Sequence, residues 1–178
     1  PTSITITAGT LQGTATFTSN NDFKDENTET VIIEITGVSG GGGSVEDGNQ
    51  SITLSINDND DSGFTIAESS GSTTVTEGGS SDTFTVVLDS KPTGNVRFDL
   101  SNDDTSEISY SPVALLFPRS DWNVPQTVTV SPVEDAIEDG TVQEEIVVSI
   151  NTSITADSIY DSVASQTVTV NINDNDDT

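Results

Sequence analysis

Apolar residues fall at every second position along most of the chain, and that alternation is the strongest limit on what it can fold into. Phe84, Val86 and Leu88 alternate with Thr and Val in "TFTVVL", and Val96, Phe98 and Leu100 alternate in "VRFDL". The same rhythm places Val128 and Val130, then Ile146, Val148 and Ile150, then Val168, Val170 and Ile172. Successive side chains of a strand point to opposite faces, so each run has one apolar face and one polar face. Each run is short, rich in β-branched residues and closed by Gly, Pro, Asn, Asp or Ser. No stretch has the 3.6-residue period of an amphipathic helix. The pattern predicts an all-β chain folded as an antiparallel β-sandwich.

The chain also repeats itself. The hexapeptide "INDNDD" spans Ile56–Asp61 and again Ile172–Asp177, a shift of 116 positions. Upstream of each copy the parts come in the same order: strand, acidic loop, strand. Residues 62–178 therefore read as a complete module. Residues 1–61 read as the C-terminal half of a preceding one, with strands expected around Ile4–Ile6, Ala15–Phe17, Val31–Ile35 and Ile52–Ile56. The opening "SITIT" lies inside a strand-like pattern, as in a segment taken from a longer protein. Half a sandwich exposes an apolar face and open edges. Its completion is expected from another chain or a longer parent, or else the half module packs on something else.

Composition narrows the partners. Four basic and 30 acidic residues give a formal charge of −26 over 178 residues. Such a chain has nothing with which to neutralise phosphates, so neither nucleic acid nor an anionic membrane surface is an expected partner. Cations are. The self-repulsion predicts a compact state that is weak until counter-ions bind. The chain has no Cys and no His, which removes disulfides, thiolate metal sites and the usual general base. No signal peptide or long apolar run is present, and membrane insertion is not expected. Apolar residues are only 31% of the chain, but their regular placement favours a fold over disorder.

The acids cluster where loops and strand ends are expected. Asp22, Asp25, Glu26 and Glu29 form one group, and Asp58, Asp60 and Asp61 a second. Glu134, Asp135, Glu138, Asp139, Glu144 and Glu145 form a third, and Asp174, Asp176 and Asp177 a fourth. Solvated surface acids are the plain alternative for any one of them. As sets they suit Ca2+, which takes about six to eight oxygens at roughly 2.3–2.6 Å. If the sheet runs in hairpin order, the loop and the strand end of one module meet at the same end. The stretch "DNDDSGFTIAES" begins like an EF-hand loop, but its twelfth position is Ser69 and its flanks are strands, so that motif is rejected. No Ser–His or Cys–His pairing exists for nucleophilic catalysis, and one Trp and two Tyr are few for a sugar-cleaving cleft. No enzymatic activity is expected.

With these residues in view, the chain resembles the Calx-beta domain family. The resemblance is carried by "VTEGGSSDTFTVVLDSKPTGNVRFDL", "EDAIEDGTVQEEIVVSI" and the closing "TVTVNINDND". It extends to "ITITAGTLQGTATFTSNNDFKDENTETVIIEI" and "SITLSINDNDD" in the half module. The stretch "LLFPRSDWNVPQTVTVSPVED" is similar to the form found in tandem arrays of very large bacterial surface proteins. The resemblance implies an immunoglobulin-like sandwich holding Ca2+ in loops at one end. It assigns the metal to Glu77, Glu134, Asp135, Asp139, Asp174, Asn175 and Asp176, with Ile137 offering a backbone carbonyl. Glu144 or Glu145 would take the place of a later glutamate, and Glu107 or Asp104 that of an acid before the mid-domain strand. In the first copy it implies Asp22, Asp25, Glu26, Glu29, Asp58, Asn59 and Asp60, beside the neutral amides Asn20 and Asn21. Amides in place of aspartates lower ligand charge, which makes the first copy the weaker cation binder.

Trp122, in "SDWNVPQ", is expected to plug a loop at the edge of the core. "SGGGGS", Ser39 to Ser44, is expected to be a hairpin tip. The acceptor patterns at Asn49 and Asn151 are common by chance. The expected role is an extracellular or cell-surface structural module, an extender of an adhesin or biofilm protein, stiffened at its junctions by Ca2+ and in contact with neighbouring modules. The alternative is a carbohydrate- or protein-binding module of a secreted protein.

Overall fold

The computed structural model describes residues 4–7, 12–40, 42, 48, 50–138 and 140–176. Asp139 and Asp177 lie outside these residues, as do Asn49 and, in the glycine run, Gly41, Gly43 and Ser44. Two compact units result. The first comprises residues 1–22 and 28–57, and the second comprises residues 23–27 and 58–178.

The second unit is a two-layer sandwich with immunoglobulin-like strand order. One layer runs β3 (Phe64–Glu68), β5 (Asp82–Leu88), β9 (Gln126–Pro132), β7 (Ile108–Ser111), with every neighbouring pair antiparallel. The other runs β4 (Thr73–Thr76), β11 (Gln166–Asn173), β10 (Thr141–Ile150), β6 (Val96–Ser101), β8 (Ala114–Phe117). Its pairs are antiparallel except β4 with β11, which is parallel. The cause is local. Between β3 and β4 the chain crosses from one layer to the other through a short 3-10 turn at Ser69–Gly71. The Asp82 carboxylate fastens that crossing, accepting from the Ser69 hydroxyl and from the amides of Thr74 (2.8 Å) and Thr83 (2.7 Å).

The alternating residues fill the space between the layers. Phe84, Val86, Val96, Phe98, Phe117, Val128, Val130, Ile146, Val148, Val170 and Ile172 are fully buried. Each such side chain is worth roughly 1.5–3 kcal/mol of transfer free energy. Phe98 meets Phe64 and Phe117 edge-on, at centroid distances of 4.7 and 5.8 Å. Trp122 packs partly buried against this core.

One end of the sandwich is locked by polar groups. The buried Tyr160 hydroxyl donates to the Ser90 carbonyl at 2.6 Å. Asp157, also buried, accepts from the amides of Thr93 (2.5 Å) and Ile159 (3.0 Å). Burial alone would raise the Asp157 carboxyl, but the amide donors at Thr93, Ile159 and Tyr160 outweigh it and hold the carboxyl below its ordinary value. Gly94 is required here, because a Cβ would lie 2.4 Å from the Ala156 carbonyl oxygen.

The first unit holds one antiparallel pair, β1 (Glu29–Ile35) with β2 (Gln50–Ile56), in the register Glu29 opposite Ile56. Strands expected at Ile4–Ile6 and Ala15–Phe17 do not form. Gly13, just before the second stretch, does lie against the first, since a Cβ on it would fall 2.6 Å from Ile4 Cγ2. Alternation marks a chain that suits a pleated surface, but a strand needs a partner ladder as well. Val31, Ile32, Ile35 and Ile52 of the pair are exposed. A shallow groove of about 360 Å³ is lined by Phe17, Val31, Ile33, Leu54 and Ile56, among others.

Candidate metal centre

The acidic end of the second unit is assembled by the parallel pairing of β4 and β11. Both strands finish together, and the Glu77 amide extends the ladder by donating to the Asn173 carbonyl at 3.0 Å. Glu77 follows β4 directly, and the alternation that buries Val75 turns the Glu77 side chain inward too, leaving it 3% exposed. Gly78 then reverses the chain at φ 62°, where a Cβ would crowd the Asn175 amide (3.0 Å) and the Glu134 carboxylate (3.1 Å). Beyond β11, the Asp176 amide donates to Asp174 Oδ1 at 2.7 Å, curling the chain back toward Glu77.

Glu77, Asp174 and Asp176 each present an oxygen to one point, and these oxygens all lie within 4.8 Å of one another. Two oxygens bound to one Ca2+ at about 2.3–2.6 Å are separated by no more than about 5 Å, so the spacing fits. Glu77 Oε2 and Asp176 Oδ2 are buried and have no hydrogen-bond donor. Nor has Glu107 Oε2, whose other oxygen accepts from the Ser106 hydroxyl at 3.1 Å. Buried carboxylate oxygens without donors are costly unless a cation meets them. Burial pushes the Glu77 carboxyl above its ordinary value, and the charges of Asp174, Asp135 and Glu107 push it further.

The loop between β9 and β10 closes over this group. Asn175 Nδ2 donates to the Glu77 carbonyl (2.7 Å) and to Glu134 Oε2 (3.2 Å), so it braces two of the expected ligands. The Gly140 amide donates to Asp174 Oδ2 at 2.9 Å. Asp135 is half-buried and accepts the Ile137 amide at 2.8 Å, while the Ile137 side chain is 60% exposed. Glu144 and Glu145 separate cleanly. Glu144 shares the inward face of β10 with Ile146, where burial and the charges of Asp104, Glu107 and Asp103 raise its carboxyl. Glu145 is on the opposite, exposed face.

The acids of the first copy are arranged differently. Asp22 and Glu29 belong to the first unit, and Asp25, Glu26, Asp58, Asn59 and Asp60 to the second. Asp25 Oδ2 accepts the Ser62 amide at 2.9 Å, and Asp58 Oδ2 accepts the Glu26 amide at 2.8 Å. Asp60 is half-buried, and Asn59 and Glu29 are exposed. Among the described residues these acids form no group comparable to that of Glu77. The motif in which Gly78 stands does not single it out. Its role follows from the positive φ, which the double glycine after Glu77 signals.

The fold and this end define a class, an immunoglobulin-like β-sandwich module with an acidic loop cluster. No family model and no curated protein matches the chain. Solved structures do. The apo form of the Calx CBD1 domain is 16% identical over 64% of this chain and 98% of its own, at a TM-score of 0.42. Domains 4 and 5 of the S-layer protein SbsC are 20% identical over 81% of this chain and 57% of theirs, at 0.41. SSP-19, an MSP-domain protein-like family member of Caenorhabditis elegans, is 18% identical over 61% and 97%, at 0.40. At this level no residue role passes from these proteins to the chain. Among the described residues no helix is long and apolar enough to cross a membrane.

Proposed function

We propose that the second unit is a non-enzymatic Ca2+-binding module whose work is structural, within a large extracellular or cell-surface protein such as an adhesin. One observation carries this reading. The Glu77 carboxylate is buried, lacks a donor on Oε2, and faces Asp174 and Asp176. Ca2+ would supply the positive charge that these oxygens lack. Glu77, Asp174 and Asp176 would hold it, with Asp135, Glu134 and Glu107 contributing charge from the adjoining loops. Asn175 and Gly78 keep the loops in place. The gain is mechanical. Strand ends that repel one another when bare are joined once the charge is met, which stabilises the module and the chain segment beyond it.

The test is thermal unfolding in Ca2+ and in EGTA. A ligand at a hundred times its Kd stabilises by about 2.7 kcal/mol, so the melting temperature should rise by several degrees across millimolar Ca2+. An unchanged melting temperature would sink the reading.

A second reading rests on the first unit. Its exposed Ile32 (64%) and Ile52 (56%) are unusual for a free surface and suit a partner chain that supplies further strands. Saturable binding of a protein or glycan that ignores EGTA would favour it.

A further inference from the structure

We propose that the loop Phe23–Asn27 is a metal-independent latch, docked within the second unit through protein contacts rather than through calcium. The chain leaves the first unit at residue 23, returns to it at residue 28, and leaves again at residue 58. The short loop is flanked in sequence by the first unit yet belongs to the body of the second. Four contacts within the second unit hold it there. The Phe23 carbonyl accepts the Lys91 amide at 2.6 Å. The Phe23 ring lies 6.0 Å from that of Trp122, tilted by 42°. Asp25 Oδ2 accepts the Ser62 amide (2.9 Å), and Asp58 Oδ2 accepts the Glu26 amide (2.8 Å).

Trp122 thus packs partly buried against the sandwich core and also lies beside the Phe23 ring, which is 61% exposed and is no part of that core. The contacts also place the loop acids. Asp25 and Asp58 serve as acceptors for backbone amides, and among the described residues the acids of this loop form no group converging on one point.

The experiment is residue-resolved hydrogen exchange on the whole chain, wild type and Phe23→Ala, in Ca2+ and in EGTA. Phe23→Ala removes an exposed ring and leaves the core packing of Trp122 in place. The Lys91 and Ser62 amides should be protected in wild type, equally in both buffers. Phe23→Ala should speed their exchange roughly tenfold, as expected for losing one aromatic pair. The amides of Phe84 and Val128 should not change and report that the sandwich is intact. Asp25→Ala should release Ser62 in the same way. Protection that vanishes in EGTA, or that Phe23→Ala leaves untouched, overturns the latch. Neither outcome bears on the calcium response of the melting temperature, so the two proposals fail separately.

Discussion

The two copies of "INDNDD" end two acidic loop systems that differ in whether buried carboxylate oxygens are left without donors. In the second copy, Glu77 and Asp176 bury oxygens that nothing donates to. In the first, Asp25 and Asp58 spend theirs on the amides of Ser62 and Glu26. Glu29 faces Ile56 as Val142 faces Ile172, so the two hairpins behind the loops pair in corresponding register. Acid count does not distinguish the loops. What distinguishes them is the pair of buried oxygens on Glu77 and Asp176 that no donor reaches, which has no counterpart among the described acids of the first copy.

The hairpins behind the loops differ as sharply. Val168 and Ile172 of β11 are buried, whereas Ile52, the counterpart of Val168, is 56% exposed. Truncations break this comparison hardest. Ile172→Ala should cost about 2–5 kcal/mol in urea denaturation of the second unit, the range for a buried large-to-small change. Ile52→Ala should shift that transition by no more than about 0.5 kcal/mol. Equal effects would mean that the exposed hairpin is packed in solution.

Next in size is the calcium response. Glu77→Gln should abolish the rise in melting temperature on adding Ca2+, and in EGTA it should be more stable than wild type. The second effect follows because burial and three neighbouring acids disfavour the charged form of Glu77. The curves of wild type and variant should therefore cross as Ca2+ is added. A variant that is less stable in both buffers would show that Glu77 packs rather than ligates.

Much of this was legible in the residues, for reasons that differ by element. The inward faces of β5, β6, β9, β10 and β11 follow from alternation alone, because both layers are present to cover them. The strands at Ile4–Ile6 and Ala15–Phe17 were misread because alternation reports suitability for a sheet and says nothing of whether a partner edge is there. The choice between Glu144 and Glu145 needed the register of β10, which sets which of two adjacent acids turns inward. The parallel β4–β11 pair needed the crossing fastened by Asp82, a tertiary contact with no short-range signature. The latch was invisible for the same reason, since Phe23 and Trp122 are far apart in sequence.

The pH dependence sharpens the contrast further. A carboxyl raised above its ordinary 4.5 gives stability that is complete below that value and lost as pH rises through the raised one. In EGTA, wild type should therefore gain stability as pH falls from neutral toward 4.5, and Glu77→Gln should lack part of that gain. Asp157 has the opposite sign. It is held below its ordinary 3.8, so its contribution is present above that value and lost as pH falls through the lowered one. Urea midpoints across pH should rise and then fall on acidification, and Asp157→Asn should remove part of the acid-side fall. A profile in Ca2+ with the same rise as in EGTA would separate Glu77 from the metal.

The smallest effect expected is in the first copy. Asp25→Ala deletes the acceptor for one amide of the second unit, which is worth about 0.5–1.5 kcal/mol. That loss should be the same in Ca2+ and in EGTA, because the carboxylate answers an amide and not a cation. The calorimetric response to Ca2+ should keep its full size in this variant. A reduced response would place Asp25 among the ligands and make the two loops equivalent after all. The size of the response in Asp25→Ala, set against its loss in Glu77→Gln, thus decides whether the two acidic loops differ in kind or only in degree.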